Sequence, residues 1–520
     1  MISITSLFRA SFLALFLLGN YANATLLYQI EPSGRSADAL AEPIVKSLLE
    51  EKTTKELYIG KIKINKLGED IKSIRLETSP GVIISSNLVS FKKDENGSLV
   101  WKGDISSLIK NKSINDKIEN TTSNYVTLIE NNNLITGLIS FRDKTYSITP
   151  LNNEQIAIVT IDSSKFPEGA PPIINSDSEE TTVKPKETQI NTVTQQPIDK
   201  TSSSLNLDVR ADDISRINVL MITTPEAYNR IGAAQYPGFV TLATDTLQSA
   251  ATNSKLPIQY KVTAVVTGIS EAGRTYDQLL SALRDPNTPL GKFAAEHREL
   301  AQADLVNLMV INPAYCGLAY VTNGTVEQFR RLGFSVVTHT CVSGYTFPHE
   351  IGHNLGATHD PNAGSNPYFS YGYGYQYLGN PPWRTVMAYG CQSISCPRIN
   401  AYSSPNLFHN NLPMGTANQD NVRVLNATRH NAAKVYPNKP VDPVDPVDPV
   451  DPVDPVDYDY VFPNGLNVYN AGTLVKQPKN GKIYECRPAP NSGYCRQWTQ
   501  TSTQYEPGFG FAWREAWIEK

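Results

Sequence analysis

The sequence predicts a multi-domain chain: a β-rich N-terminal domain, a central α/β domain, and a small disulfide-held β module at the C-terminus. Three observations carry this expectation. Apolar and polar residues alternate through residues 25–162, as in Tyr125-Val126-Thr127-Leu128-Ile129 and Ile156-Ala157-Ile158-Val159-Thr160-Ile161, the period-two pattern of half-buried strands. Between residues 213 and 436, short aliphatic runs read as buried strands: Ile217-Asn218-Val219-Leu220-Met221-Ile222 and Leu305-Val306-Asn307-Leu308-Met309-Val310. They alternate with helical spacing of apolar residues at 239–253 and 276–284. Residues 458–520 hold two cysteines and three of the chain's five tryptophans, a composition suited to a domain too small for an ordinary core.

The elements follow in order. Arg9 precedes the apolar run Ala10 to Gly19, and Ala22-Asn23-Ala24 offers small residues for cleavage, so residues 1–24 read as a secretory signal peptide. A membrane anchor is the alternative, but the run is shorter than the ~20 residues a span needs. An extracellular protein with no membrane span is expected. Residues 163–212 are dominated by Ser, Thr, Pro, Gln, Asp, Glu and Lys and read as a disordered, protease-sensitive linker. A β domain followed by a cuttable linker is the arrangement of a proenzyme, so residues 25–162 are expected to be a pro-domain.

The central domain carries the chemistry. His349-Glu350-Ile351-Gly352-His353 places two histidines four residues apart, on one face of a helix. Gly356 can take a backbone conformation closed to other residues, ending the helix and turning the chain so that His359 returns as a third nitrogen ligand. Three protein ligands leave one position open, the mark of a catalytic zinc site. Glu350 adjoins the first ligand and is placed to act as general base on a water rather than to bind the metal. The bland alternative is a polar surface helix with stray histidines, but three of the chain's seven His fall in this stretch.

His349 to His359, with its HExxHxxGxxH spacing, resembles the metzincin clan of zinc endopeptidases, and Asp360 directly after the third histidine resembles the adamalysin (reprolysin) branch. The resemblance implies a methionine turn downstream. Thr385-Val386-Met387-Ala388-Tyr389-Gly390 fits it, with Met387 as a polarizable floor beneath the imidazoles. In astacin and serralysin branches a tyrosine placed like Tyr389 binds zinc or steadies the oxyanion; in adamalysins it is generally absent, so catalysis and packing both stay open for it. Tyr402-Ser403-Ser404-Pro405-Asn406 and Asp420 to Asn426 resemble the closing segment and last helix of bacterial reprolysin-like peptidases, extending the likeness over residues 213–436. Pro348 departs from the pattern and implies that His349 lies near the start of its helix. The implied fold is α/β: a twisted, mostly parallel sheet above the cleft with the zinc helix beneath.

All six cysteines lie at or after Cys316. Sequence order pairs Cys316 with Cys341, Cys391 with Cys396, and Cys486 with Cys495; a zinc-ligand role is made unnecessary by the histidines. With no cysteine upstream, latency must use a carboxylate, a backbone group or steric blockage. No calcium ligand set can be inferred.

Residues 437–457 are a linker in which Pro-Val-Asp repeats six times from Pro440 to Asp457. Proline at every third position favours an extended spacer, although the repeat can also be read as an epitope. Beyond it, Lys482-Ile483-Tyr484-Glu485-Cys486, Tyr494-Cys495-Arg496-Gln497-Trp498 and Trp513-Arg514-Glu515-Ala516-Trp517 resemble the chitin-binding modules of bacterial chitinases and secreted colonisation factors. The resemblance implies that Trp498, Trp513 and Trp517 stack on sugar rings of chitin or another N-acetylglucosamine glycan, mucin included; core packing is the other role open to them. A net charge of −4 gives no nucleic-acid footprint.

The expected function is a secreted, monomeric zinc endopeptidase acting on proteins or glycoproteins, with a carbohydrate-targeting tail. A glycan adhesin with an accessory peptidase is one alternative. A polysaccharide hydrolase is another, against which no carboxylate pair can be singled out.

Overall fold

A computed structural model describes residues 24–31, 42–174, 214–436 and 458–520, apart from 65, 95–96, 106–122, 143, 365, 393 and 500–501. The expected signal peptide up to residue 23, the connector from 175 to 213 and the Pro-Val-Asp repeat lie outside the described residues. The chain forms two compact units, Met1–Pro437 and Asn438–Lys520. No helix among the described residues is long and apolar enough to cross a membrane.

The alternating residues near the N-terminus build a ten-stranded sheet. From Ser73–Ser79 through Gln155–Ile161 it is an antiparallel meander, closed by Thr54–Ile62. Its two outermost strands, Thr25–Leu26 and Tyr28–Ile30, are separated by Leu27 alone, so the sheet curls back on itself around Tyr28, Trp101 and Ile139. The other face meets the central domain. Val100, Ile129 and Leu138 pack in one core with Val240, Leu242 and Leu247 of helix Tyr236–Asn253. Lys102 Nζ reaches the buried Asp245 carboxylate at 2.7 Å. The β domain and the central domain therefore share a core rather than standing apart on a linker.

The central sheet has six strands in the order Ile173–Ile174, Gly317–Val321, Phe334–Thr338, Leu305–Val310, Ser215–Thr223 and Ile258–Val266. Pairing is parallel except that Gly317–Val321 runs antiparallel to Phe334–Thr338. The four strands over which both faces are covered read as aliphatic runs, as fully buried parallel strands do. Helices Tyr276–Arg284 and Pro289–Ala301 cover one face through Leu279, Leu280, Leu283, Leu290 and Ala294. The other face rests on helix Tyr236–Asn253 and on Thr346–Asn354, which carries the motif.

One boundary is corrected. Residues 163–174 belong to the folded unit and not to the polar connector, because Phe166, Ala170 and Ile173 supply apolar contacts that the composition of a fifty-residue stretch dilutes. Ile173–Ile174 adds a strand to the edge of the central sheet, paired with Tyr320–Val321.

The second unit is a four-stranded sheet of Tyr460–Val461, Leu474–Lys476, Ile483–Cys486 and Trp517–Glu519 around Tyr469, Tyr484 and Trp517. Three disulfides are present: Cys316–Cys341, Cys391–Cys396 and Cys486–Cys495.

Candidate metal centre

Helix Thr346–Asn354 is short, with Pro348 in its first turn, so His349 sits one turn from its start. The Tyr402 hydroxyl donates to the Pro348 carbonyl at 2.7 Å, and Asn354 Nδ2 donates to the Tyr320 and Phe334 carbonyls at 2.9 and 3.0 Å, fixing both helix ends. Gly356 ends the helix at φ +98°, where a Cβ would meet the Thr322 carbonyl at 3.1 Å; the turn it allows returns His359 to the site.

The three imidazoles converge. His349, His353 and His359 Nε2 lie 2.9–3.1 Å from one another, and all three side chains are buried. The Nδ1 of His349 faces the Val386 carbonyl and that of His353 the Ala357 carbonyl, each at 2.8 Å. A carbonyl only accepts, so Nδ1 carries the proton in both rings and the Nε2 lone pairs point inward. Burial lowers all three histidine pKa values; neighbouring rings reinforce the fall for His349 and His359, and Arg398 adds to it in all three. Neutral nitrogens facing one another at this distance fit a cation: donors of a tetrahedral ion at ~2.0 Å are about 3.3 Å apart. These three residues are the metal-capable cluster among the described residues.

Glu350 is buried beside them, its Oε1 4.0 Å from His349 Nε2 and without a hydrogen-bond partner. Desolvation raises its pKa well above the usual carboxylate range. Room for it comes from Gly317, where a Cβ would lie 2.3 Å from Glu350 Oε1. Met387 is fully buried under the helix, and its sulfur occupies the space a side chain on Gly352 would need, 2.6 Å from that Cβ position. Gly317 and Gly352 are invisible to motif reading, since the motif leaves one position unspecified and the other lies on a distant strand.

Tyr389 ties several parts together. Its ring lies against His359 with centroids 3.8 Å apart, its N–H donates to Asp360 Oδ2 at 3.0 Å, and its hydroxyl donates to the Gly169 carbonyl at 2.8 Å. Asp360 thus clamps the methionine turn to the third histidine. Gly169 belongs to the docked segment 163–174, which runs over the cleft. A Cβ on Gly169 would sit 3.5 Å from His349 Nε2 and 3.6 Å from Glu350 Oε1. On either side, Cys316 N–H donates to the Glu168 carbonyl and Ala170 N–H to the Gly317 carbonyl, at 3.2 and 2.9 Å.

The remaining histidines lie elsewhere: His297 stacks on Phe293, His339 Nδ1 faces the Val310 carbonyl, His409 packs edge-on to Trp383, and His430 meets Ser215.

In the C-terminal unit the three tryptophans part company. Trp517 is wholly buried, with its indole N–H donating to the Tyr505 carbonyl at 2.8 Å, so the stacking role read for it is corrected: it is core. Its bulk fills the centre of a small core built largely of aromatics, among them Phe462, Tyr469 and Tyr484. Trp498 is half-buried against Phe462, and Trp513 is half-buried with the Arg514 guanidinium 4.6 Å over its ring. Phe509 and Phe511, not singled out in the sequence, are exposed by 49% and 57%.

A family model described as Metallo-peptidase family M12 matches residues 214–403. The chain is 30% identical over 349 residues to a peptidyl-Asp metalloendopeptidase of Stenotrophomonas maltophilia (strain R551-3), covering 64% of this chain and 76% of that protein. It is 29% identical over 436 residues to one of Xanthomonas campestris pv. campestris, covering 81% and 96%. A shorter stretch is 59% identical over 61 residues to the GlcNAc-binding protein A of Vibrio vulnificus, 12% of each chain, and corresponds to the C-terminal module. With the histidine cluster at the centre of the matched region, this chain belongs to the M12 metallopeptidase family and is a metalloendopeptidase.

Proposed function

We propose that the chain is a secreted proenzyme that hydrolyses peptide bonds to the amino group of an acidic residue, the peptidyl-Asp bond for which its relatives are named, in proteins held on N-acetylglucosamine-containing glycans such as chitin or mucin. The observation that carries the reading is the convergence of three neutral imidazoles beside an unpartnered buried carboxylate. His349, His353 and His359 would hold one zinc ion, which when bound supplies Lewis acidity to a substrate carbonyl and to water. Glu350, with its pKa raised by burial, takes a proton from the attacking water and returns it to the leaving amine. Tyr389 is the candidate oxyanion donor. Its hydroxyl already donates to a main-chain carbonyl in the cleft, the contact a substrate carbonyl gaining negative charge would strengthen.

Residues 25–162 act as the pro-domain in this reading. Latency is supported by the path of residues 166–174, which pair with edge strand Gly317–Val321 and lie against His349 and Glu350. A substrate adding to that edge would compete for the same backbone donors and acceptors. Activation then requires a cut in the connector that follows. The C-terminal module, through Trp498 and Trp513 with Phe509 and Phe511, would hold the enzyme near glycan-borne substrates and raise its local concentration there.

The test is incubation of the purified protein with casein and with colloidal chitin, with and without chelator, while mass spectrometry follows the enzyme's own termini. Chelator-sensitive cleavage of casein, adsorption to chitin without its hydrolysis, and a new amino terminus between residues 175 and 213 are expected. Full activity with residues 166–174 still attached would reject latency; hydrolysis of chitin would reject the peptidase-with-tail reading.

A further inference from the structure

Two arginines border the cleft that proton transfer and metal binding leave unused. Arg384 precedes the methionine turn and is buried; its Nη1 donates to the Ala388 carbonyl at 2.8 Å. Arg398 follows the Cys391–Cys396 disulfide and is half-buried; its Nη1 donates to the Gly344 carbonyl at 3.0 Å. The Nε of each is sealed from solvent and has no hydrogen-bond partner among the described residues. Desolvation pulls both guanidinium pKa values down, that of Arg384 to about 9 with the charge of Arg398 adding to the fall, while Glu168 opposes it in both. Like charges brought together with donors to spare are costly unless an anion joins them.

Their position relative to the metal ligands can be read along one short segment. Phe166 and Pro167 border a cavity of about 70 Å³ whose other walls include Gly344, Arg384 and Arg398. The next residue, Glu168, has Oε2 3.8 Å from Arg384 Nη1 and accepts at Oε1 from the Gly390 N–H at 3.0 Å. The one after, Gly169, lies against His349 Nε2 and Glu350. Cavity, arginines and imidazoles are therefore consecutive stations one or two residues apart, the separation between a side-chain subsite and the bond to be cut.

We propose that Arg384 and Arg398 form the subsite for the acidic side chain beside the cleaved bond, and that Glu168 holds the mouth of that subsite in the uncut chain. This rests on the reading that the enzyme cuts bonds to acidic residues. The polarity of the segment explains why it can persist there. A peptidyl–acidic bond at Glu168 would be Pro167–Glu168, whereas the backbone over the imidazoles belongs to Gly169, the residue after the acid. Half of the Glu168 side chain remains exposed, so a substrate carboxylate that penetrates to both guanidinium groups can displace it.

Two measurements test this. In the first, paired fluorogenic peptides differing only by Asp or Asn at the cleaved bond are compared on the processed enzyme. Arg384→Met and Arg398→Met should each reduce the Asp-to-Asn ratio of kcat/KM by at least ~30-fold, chiefly through KM, with Arg398→Lys restoring part of it. An unchanged ratio overturns the subsite while leaving the peptidase reading standing; a wild-type enzyme that does not prefer Asp overturns that reading itself. In the second, a labelled Asp peptide is titrated against the full chain carrying Glu350→Ala, followed by fluorescence anisotropy. Adding Glu168→Ala should tighten binding about 3–10-fold for the Asp peptide and less for the Asn peptide. Equal affinity with and without Glu168 overturns the proposal. Because Glu168 is exposed, this second measurement decides the matter should an arginine variant fail to fold.

Discussion

The cleft and the C-terminal module each gather three like residues from one short stretch of sequence, yet only the cleft uses all three together. His349, His353 and His359 meet with their Nε2 atoms 2.9–3.1 Å apart. Trp498, Trp513 and Trp517 separate into two half-buried rings and one fully buried one. The difference is physical. Helical spacing and one glycine turn determine where the imidazoles go, and a metal ion demands a fixed separation of its ligands. A tryptophan can serve a small unit as core or as platform, and which it does depends on every strand around it.

That contrast can be broken most directly at the ligands. His349→Ala, His353→Ala and His359→Ala should each abolish stoichiometric zinc and peptide hydrolysis together, whereas His297, His339, His409 and His430 can be replaced with zinc retained. Elemental analysis of the seven purified variants checks it; a fourth histidine whose loss removes metal would reopen the ligand set. Glu350→Ala sharpens the distinction between holding metal and moving protons. Turnover should fall by ~10²–10⁴-fold with zinc content unchanged. Retention of a tenth of wild-type turnover would remove the general-base role.

The smaller effects lie in the module. Trp517→Ala should destabilise it by about 3–5 kcal/mol, the cost of emptying a core aromatic site, and chitin adsorption should be lost through unfolding. Trp513→Ala should weaken adsorption while the melting temperature of the module moves little. Were Trp513→Ala to melt the unit as severely as Trp517→Ala, the division into core and platform would be wrong.

The N-terminal region illustrates another limit of reading by composition. Alternation in residues 25–162 announces strands because each strand needs one face in a core. It does not announce which helix the outer face will meet, and Val100, Ile129 and Leu138 look like any other inward residues until they are found against Val240 and Leu247. Likewise the stretch after residue 162 reads as polar on average. Its first twelve residues nevertheless hold Phe166, Ala170 and Ile173, enough to dock on an existing cleft though not to fold alone.

By itself the sequence determined the clustering of His349, His353 and His359, the adjacent carboxylate, the turn that carries Met387 and the strand-and-helix alternation around them, because each depends on local spacing and backbone conformation. Tertiary structure alone decided that Gly317 and Gly352 leave room for Glu350 and Met387, that Trp517 is core, and that Glu168 and Gly169 lie between Arg384 and His349. Those depend on which distant surfaces share a cavity, and no local periodicity encodes that.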